Sequence, residues 1–263
     1  MEHRPRKRFG QNFLRDEVTI QRIVAAVDAK PGEHLVEIGP GRGAITTGLL
    51  KAAGHLDAIE LDRDLIEPLA RLCVRLGDLS IHNADALRFN LGTLYRGERL
   101  RLVGNLPYYI STPLLFHLLH QGDFIHDMHF MLQKEVVERI TAPPGSKIYG
   151  RLSVMIQVYC QAEALFPIKP EAFIPVPKVE SAFLRLTPYR PLPATVLDPS
   201  FLARLVAQAF AQRRKTLRNS LKGIVSAEQL RAHGLDPQQR AEEVSAETFV
   251  QLSNAACNTR ASP

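Results

Sequence analysis

The chain has no tryptophan, only three cysteines, and no apolar run near the roughly 20 residues that a membrane-crossing helix needs. Cys73, Cys160 and Cys257 lie far apart and are odd in number, with no histidine or second cysteine beside them at metal-ligand spacing. A disulfide framework and a cysteine-based zinc motif are therefore excluded, and the thiols are expected to be reduced and the protein to hold no metal. The amino terminus is basic, with Arg4, Arg6, Lys7 and Arg8, but it runs into Phe9-Gly10-Gln11-Asn12 where a secretory signal would turn apolar. These absences together predict a cytoplasmic protein that enters no membrane. Acidic residues are the minority charge: 27 Asp and Glu face 33 Lys and Arg, giving a net charge of +6 and a pI near 9.4. The excess is uneven. Residues 1–15 carry five basic side chains and one acid, and residues 199–225 carry six basic side chains and no acid, as a polyanion footprint would.

What is present is 45% apolar residues in a chain of 263, enough for one large domain and a small one. Strand-like runs alternate with helical patterns, which predicts an α/β, Rossmann-like sheet with helices on both faces. A first strand over 35–38 leads into Gly39-Pro40-Gly41-Arg42-Gly43 and a helix over 46–53. The spacing Gly39-x-Gly41-x-x-Ala44 fits a dinucleotide-binding turn and an S-adenosylmethionine-binding turn alike. Two residues tilt it towards the second. Glu37 suits a ligand with a cationic amino-acid tail better than a pyrophosphate, and Pro40 removes a backbone donor that a phosphate could use. The next strand ends near Glu60, where a carboxylate can accept both ribose hydroxyls of an adenosine-containing cofactor. A helix over 65–76 and a strand over 79–82 follow, and Asp85 beyond that strand can accept from an adenine amine.

The fourth strand, 100–103, ends in Gly104-Asn105-Leu106-Pro107-Tyr108-Tyr109, the stretch that the rest of the chain serves. An exocyclic amine on a nucleobase is a poor nucleophile because its lone pair is delocalised into the ring. Two acceptors aimed at its hydrogens counter this: the Asn105 side-chain carbonyl and the Leu106 backbone carbonyl, the latter held by Pro107. Tyr108 offers a ring on which a base can stack. The glycine turn, Glu60, Asp85 and Asn105 all fall at carboxyl ends of strands, the edge where open α/β sheets bind ligands.

Downstream, the pattern predicts a helix over 111–120, a strand over 128–132, a short helix over 136–140 and an apolar segment over 152–160. Phe173, in the proline-stiffened stretch Phe173-Ile174-Pro175-Val176-Pro177, can supply the second face of a base sandwich with Tyr108, ahead of an alternating strand over 182–186. The stiff linker Pro188-Tyr189-Arg190-Pro191-Leu192-Pro193 sets a domain boundary, with a catalytic, cofactor-binding domain over 1–190 and a small all-α domain over 191–263. In the second, Asp198-Pro199 opens a helix with Leu202, Leu205, Val206, Ala209 and Phe210 on one face. Leu217 and Leu221 continue that stripe while Arg213, Arg214, Lys215 and Arg218 face outward. On residue types alone, three alternatives stand: a DNA adenine methyltransferase, a non-catalytic assembly or transcription factor, and a nicotinamide dehydrogenase for which no proton-transfer residue can be placed.

Taken in order, the stretches 9–14, 37–43, Glu60, Asp85, 105–108, 150–153, 173–181 and 213–219 resemble those of the bacterial small-subunit ribosomal RNA adenine dimethyltransferases, the KsgA-type family. The resemblance spans essentially the whole chain; Val176 stands where many relatives have a third proline. It implies transfer of four methyl groups from S-adenosylmethionine to the N6 atoms of two adjacent adenosines, in a hairpin loop near the 3′ end of 16S ribosomal RNA within a late pre-30S particle. It also implies cofactor contacts at Asn12, Leu14, Gly39, Glu60, Asp85 and Asn105, with Gly41 in the same turn, and RNA contacts from Arg213, Arg214, Lys215 and Arg218. A monomer is expected.

Overall fold

The computed structural model describes residues 11–261, so the basic stretch Arg4–Arg8 and Phe9 lie outside the described residues. Two compact units emerge. One runs as far as Val137 and resumes over Glu163–Pro188; the other comprises Glu138–Ala162 and Tyr189–Pro263.

The first unit is built on β1 (Phe13–Leu14), α1 (Glu17–Val27), β2 (Leu35–Ile38), α2 (Thr46–Ala53), β3 (His55–Glu60), α3 (Arg63–Cys73), β4 (Asp78–Asn83), β5 (Leu100–Asn105), α4 (Ser111–Leu119) and β6 (Ile125–Gln133). Asp16 caps α1, its carboxylate accepting from the Thr19 amide at 2.8 Å. Asp62 caps α3 in the same way, which starts that helix two residues before the predicted position. After β6 come α5 (Lys134–Thr141), α6 (Arg151–Tyr159), β7 (Cys160–Ile168), β8 (Phe173–Ile174) and β9 (Ser181–Pro188).

The seven-stranded sheet has the order β4-β3-β2-β5-β6-β9-β7. β4, β3, β2, β5 and β6 are mutually parallel, and β9 pairs antiparallel with β6. Strands 35–38 and 100–105 are buried over most of their length on both faces because a parallel sheet is covered on both sides. The chain order reverses between β2 and β5, so their carboxyl ends form the crevice where such sheets bind ligands. That approach is tight: a Cβ on Gly104 would stand 2.5 Å from the Ile38 carbonyl oxygen, which is why glycine precedes Asn105. Separately, β1 pairs antiparallel with β8, Leu14 opposite Phe173.

The second unit holds α6, α7 (Pro199–Phe210), α8 (Leu217–Ser220), α9 (Ala227–Ala232) and α10 (Ala246–Ala261). Its boundary falls at 188/189 instead of 190/191, and it takes in residues 138–162, which were expected in the first domain. The reason is packing: α6 buries Leu152, Val154, Met155, Ile156 and Val158 and packs with α7 and α10, while Tyr149 meets Phe210 edge to face. The stripe on α7 does not run on to Leu221 in one helix. α7 ends at Phe210, residues 211–216 form a turn, and Leu217 and Leu221 are buried from the separate α8. Ser226 and Gln229 form a capping box at the start of α9, and the Ser245 hydroxyl accepts from the Thr248 amide at the start of α10.

Candidate active site

The pocket at the carboxyl edge of the first unit is lined by the glycine turn, Glu60, Asp85, Asn105 to Tyr108, and residues 11–14. Gly41 has φ 59°, in the left-handed region, and a Cβ there would meet the Phe13 ring at 3.2 Å. Glu60 is buried at the end of β3. Its Oε2 accepts from the Gly41 amide at 3.1 Å and its Oε1 from the Asp62 amide at 2.8 Å, so the carboxylate ties the turn to the start of α3. Each oxygen keeps a second lone pair for a ligand hydroxyl. Burial raises the Glu60 carboxyl above its ordinary pKa, against the pull of these amides.

Glu37, on β2, is 1% exposed, and its Oε2 has no hydrogen-bond partner among the described residues. Burial, with the Glu60 charge adding to it, pushes its pKa up to about 8. An orphaned buried carboxyl beside a ligand pocket fits a cationic group of that ligand.

Asn105 is fixed by its own amide: Nδ2 donates to the Asn12 backbone carbonyl at 2.9 Å, which settles the side-chain flip and leaves Oδ1 as the acceptor. The Leu106 amide donates to the Met131 carbonyl at 3.2 Å across β5 and β6, and Pro107 then opens a turn closed by Ile110. Among the described residues nothing donates to the Leu106 carbonyl oxygen. The hydroxyls of Tyr108 and buried Ser181 share a hydrogen bond of 2.8 Å, which holds the ring. Asp85 follows β4, with Oδ1 accepting from the Leu87 amide at 3.0 Å and its other oxygen outside that turn. Neighbouring Tyr109 is the exposed member of the pair, and burial followed by the Asp85 charge raises its phenol.

The structure thus brings Asn12, Leu14, Gly39, Gly41, Glu60, Asp85, Asn105, Leu106 and Tyr108 to one pocket. Phe173 is not among them. It is 1% exposed, packed in the core with Leu14, Val103, Ile168 and Phe183, so it presents no face to a base. The neighbouring Ile174 points outward instead. The basic set is on the surface of the second unit, in the turn after α7 and on α8. All four are exposed, and Arg213 also donates to the Lys147 carbonyl and lies 3.7 Å from Glu242. Sequence reasoning gave Gln11, Asp62 and Ser181 no role of their own. Gln11 donates to Asp62 at 3.1 Å, and the Arg42 guanidinium stands 4.7 Å over the Phe13 ring. The available signal was Asp62 two residues after Glu60; Ser181, distant in sequence, gave none.

Known proteins resemble this chain over nearly its whole length. Proteins called ribosomal RNA small subunit methyltransferase A are 54% identical over 252 residues in Nitrosococcus oceani, covering 95% of this chain and 96% of theirs. In Methylococcus capsulatus the identity is 56% over 253 residues, covering 96% and 98%. The fold matches a dimethyladenosine transferase from Plasmodium falciparum with a TM-score of 0.81 at 22% identity, over 93% of this chain and 98% of the other. It also matches the 23S rRNA methyltransferase ErmE with a TM-score of 0.72 at 25% identity, over 94% and 100%. The profile of the ribosomal RNA adenine dimethylase family matches residues 2–257, and with relatives of this identity and coverage the chain belongs to that family.

Proposed function

We propose that this protein is an S-adenosylmethionine-dependent methyltransferase that converts two adjacent adenosines of small-subunit ribosomal RNA to N6,N6-dimethyladenosine. The substrate is the hairpin near the 3′ end of 16S RNA in a pre-30S particle, and the enzyme acts as a monomer. The observation that carries the chemistry is the pinned Asn105, its NH2 committed to Asn12 and its Oδ1 left to accept, with the Leu106 carbonyl next in the chain.

The residues present fit the cofactor. Glu60 would accept from the ribose hydroxyls, Asp85 from the adenine amine, and the unpartnered Oε2 of Glu37 from the ammonium of the methionine tail. When bound, S-adenosylmethionine supplies an electrophilic methyl group on its sulfonium sulfur. Asn105 Oδ1 and the Leu106 carbonyl accept the two hydrogens of the target amine, turning its lone pair out of conjugation with the ring. Tyr108, held by Ser181, stacks on the base and offsets part of the cost of extruding it from the RNA. The methylated nitrogen carries a positive charge and releases its proton to water, so no general base is needed. The monomethyl amine has one hydrogen left, and a single acceptor suffices for the second transfer. Arg213, Arg214, Lys215 and Arg218, exposed on the second unit, contact phosphates.

Labelled-methyl transfer tests this directly, with undermethylated small subunits and duplex DNA carrying adenine as parallel substrates. Label in dimethyladenosine of the small-subunit RNA is expected; label in DNA alone, or in neither, overturns the proposal.

A further inference from the structure

The same sheet holds a second side-chain cluster, running from the starts of β2 and β3 to His82 on β4, that methyl transfer does not use. Parallel register sets the starts of β2, β3 and β4 side by side, His55 opposite Asp78 and His34 one step before the Leu35–Leu56 pair. Asp57, 1% exposed, lies at the centre. Its Oδ2 is 2.7 Å from His34 Nε2 and 3.3 Å from His55 Nε2, and its Oδ1 is 2.6 Å from His82 Nε2. His55 Nδ1 in turn is 3.1 Å from Asp78 Oδ2.

A carboxylate only accepts, so each nitrogen facing one must present a positive end. His82 meets this with one N–H. His55 faces carboxylates with both ring nitrogens, Nδ1 towards Asp78 and Nε2 towards Asp57. A metal ion held between Nε2 and Asp57 would leave the Nδ1 N–H to donate to Asp78. A histidine metal ligand that donates its other N–H to a carboxylate is the common second-sphere pattern. The donor atoms of His34, His55 and Asp57 lie within 4.8 Å of one another. A tetrahedral zinc with bonds of about 2.0–2.1 Å needs its ligand atoms roughly 3.3 Å apart. The His55–Asp57 distance, 3.3 Å, is already there, and His34 at 2.7 Å has only to step back.

We propose that His34 Nε2, His55 Nε2 and Asp57 Oδ2 bind one divalent transition-metal ion of the zinc class, with water in the fourth position. Asp78 orients His55, and His82 holds the free oxygen of Asp57. Two imidazoles and one carboxylate favour zinc over magnesium or calcium, which take oxygen shells. The ion clamps the starts of β2 and β3, away from Asn105, and its role is structural. Cysteine spacing could not reveal it, because the ligands come from two parallel strands and meet only through their register.

The test uses untagged full-length protein stripped with chelator. Cobalt(II) followed by visible absorbance, and zinc by calorimetry, should each show one ion per chain, with tetrahedral cobalt bands free of thiolate charge transfer. His55→Ala and His55→Asn should abolish the bands, and His82→Ala should weaken zinc about 10- to 100-fold. Zinc at about 100 times its Kd should raise the Tm of the wild type by about 5–10 °C and leave the His55 variants unmoved. S-adenosylmethionine affinity of each variant reports that it is folded. Absence of saturable binding in the wild type, thiolate bands, or binding that survives both His55 substitutions would overturn the site.

Discussion

Glu37 is buried to 1% exposure with an orphaned oxygen, and burial followed by the Glu60 charge raises its pKa from 4.5 to about 8. Between those values the unfolded chain is ionised while the folded one keeps a proton. Stability must therefore fall as pH rises through that window, by up to about 1.4 kcal/mol per pH unit. From pH 5 to pH 8 the loss amounts to about 3 kcal/mol. Glu37→Gln cannot ionise and should lack this slope. Buried His129 contributes the opposite trend: burial lowers it from 6.5 to about 4, and Asp127, Arg101, Arg185 and Glu163 act on it more weakly. Its stability contribution is lost as pH falls below 6.5, equally in both proteins, and cancels in the difference. Urea denaturation of ligand-free wild type and Glu37→Gln at pH 5, 6, 7 and 8 should show the wild type losing about 3 kcal/mol relative to the variant. Parallel pH dependences would refute the reasoning. The same proton links to the cofactor. At pH 7 the folded protein holds about nine-tenths of a proton on Glu37, and an ammonium beside it expels that proton. Calorimetry in two buffers of different ionisation heat should then show nearly one more proton released by the wild type than by Glu37→Gln.

Glu60→Ala removes charge-assisted hydrogen bonds of about 1.5–3 kcal/mol each and should weaken S-adenosylmethionine binding tenfold or more; an unchanged affinity by calorimetry removes Glu60 from the cofactor site. Tyr108→Ala should depress methylation while cofactor binding stays near normal, since stacking is worth about 1–3 kcal/mol per base. Phe173→Ala should instead cost about 3–5 kcal/mol of stability through the cavity it leaves, and a reduced rate in a fully folded variant would return Phe173 to the base pocket. Neutralising Arg213, Arg214, Lys215 and Arg218 together should lower the magnitude of the log K against log salt slope on ribosomal particles by about 0.7–0.9 for each phosphate that these side chains no longer neutralise, and an unaltered slope would make that turn an ordinary solvated surface.

The cofactor edge was legible because β2 and β5 carry short apolar runs, and because a glycine, an acid or an amide stands at or just past the carboxyl end of each strand: Gly39, Glu60, Asp85 and Asn105. What sequence could not show was decided by distant partners. Phe173 looked available because prolines follow it, but pairing of β8 with β1 sets it beside Leu14 and buries it. Residues 138–162 looked continuous with the first domain, yet the apolar positions of α6 find their complement on α7 and α10. The hold of Asn12 on Asn105 spans 93 residues, and that of Ser181 on Tyr108 spans 73, with no local signal at either end.

The central claim is that Asn105 Oδ1 accepts from the target amine and that the pocket admits a second methyl. The most direct measurement is a quenched time course on undermodified small subunits, with monomethyl- and dimethyladenosine quantified for the wild type and Asn105→Asp. The wild type should pass through monomethyladenosine and finish at dimethyladenosine on two adjacent nucleosides. Asn105→Asp keeps an acceptor but places a charge beside the base and should be slower by orders of magnitude. Monomethyladenosine as the wild-type end product, or an Asn105→Asp variant as fast as the wild type, would contradict the account.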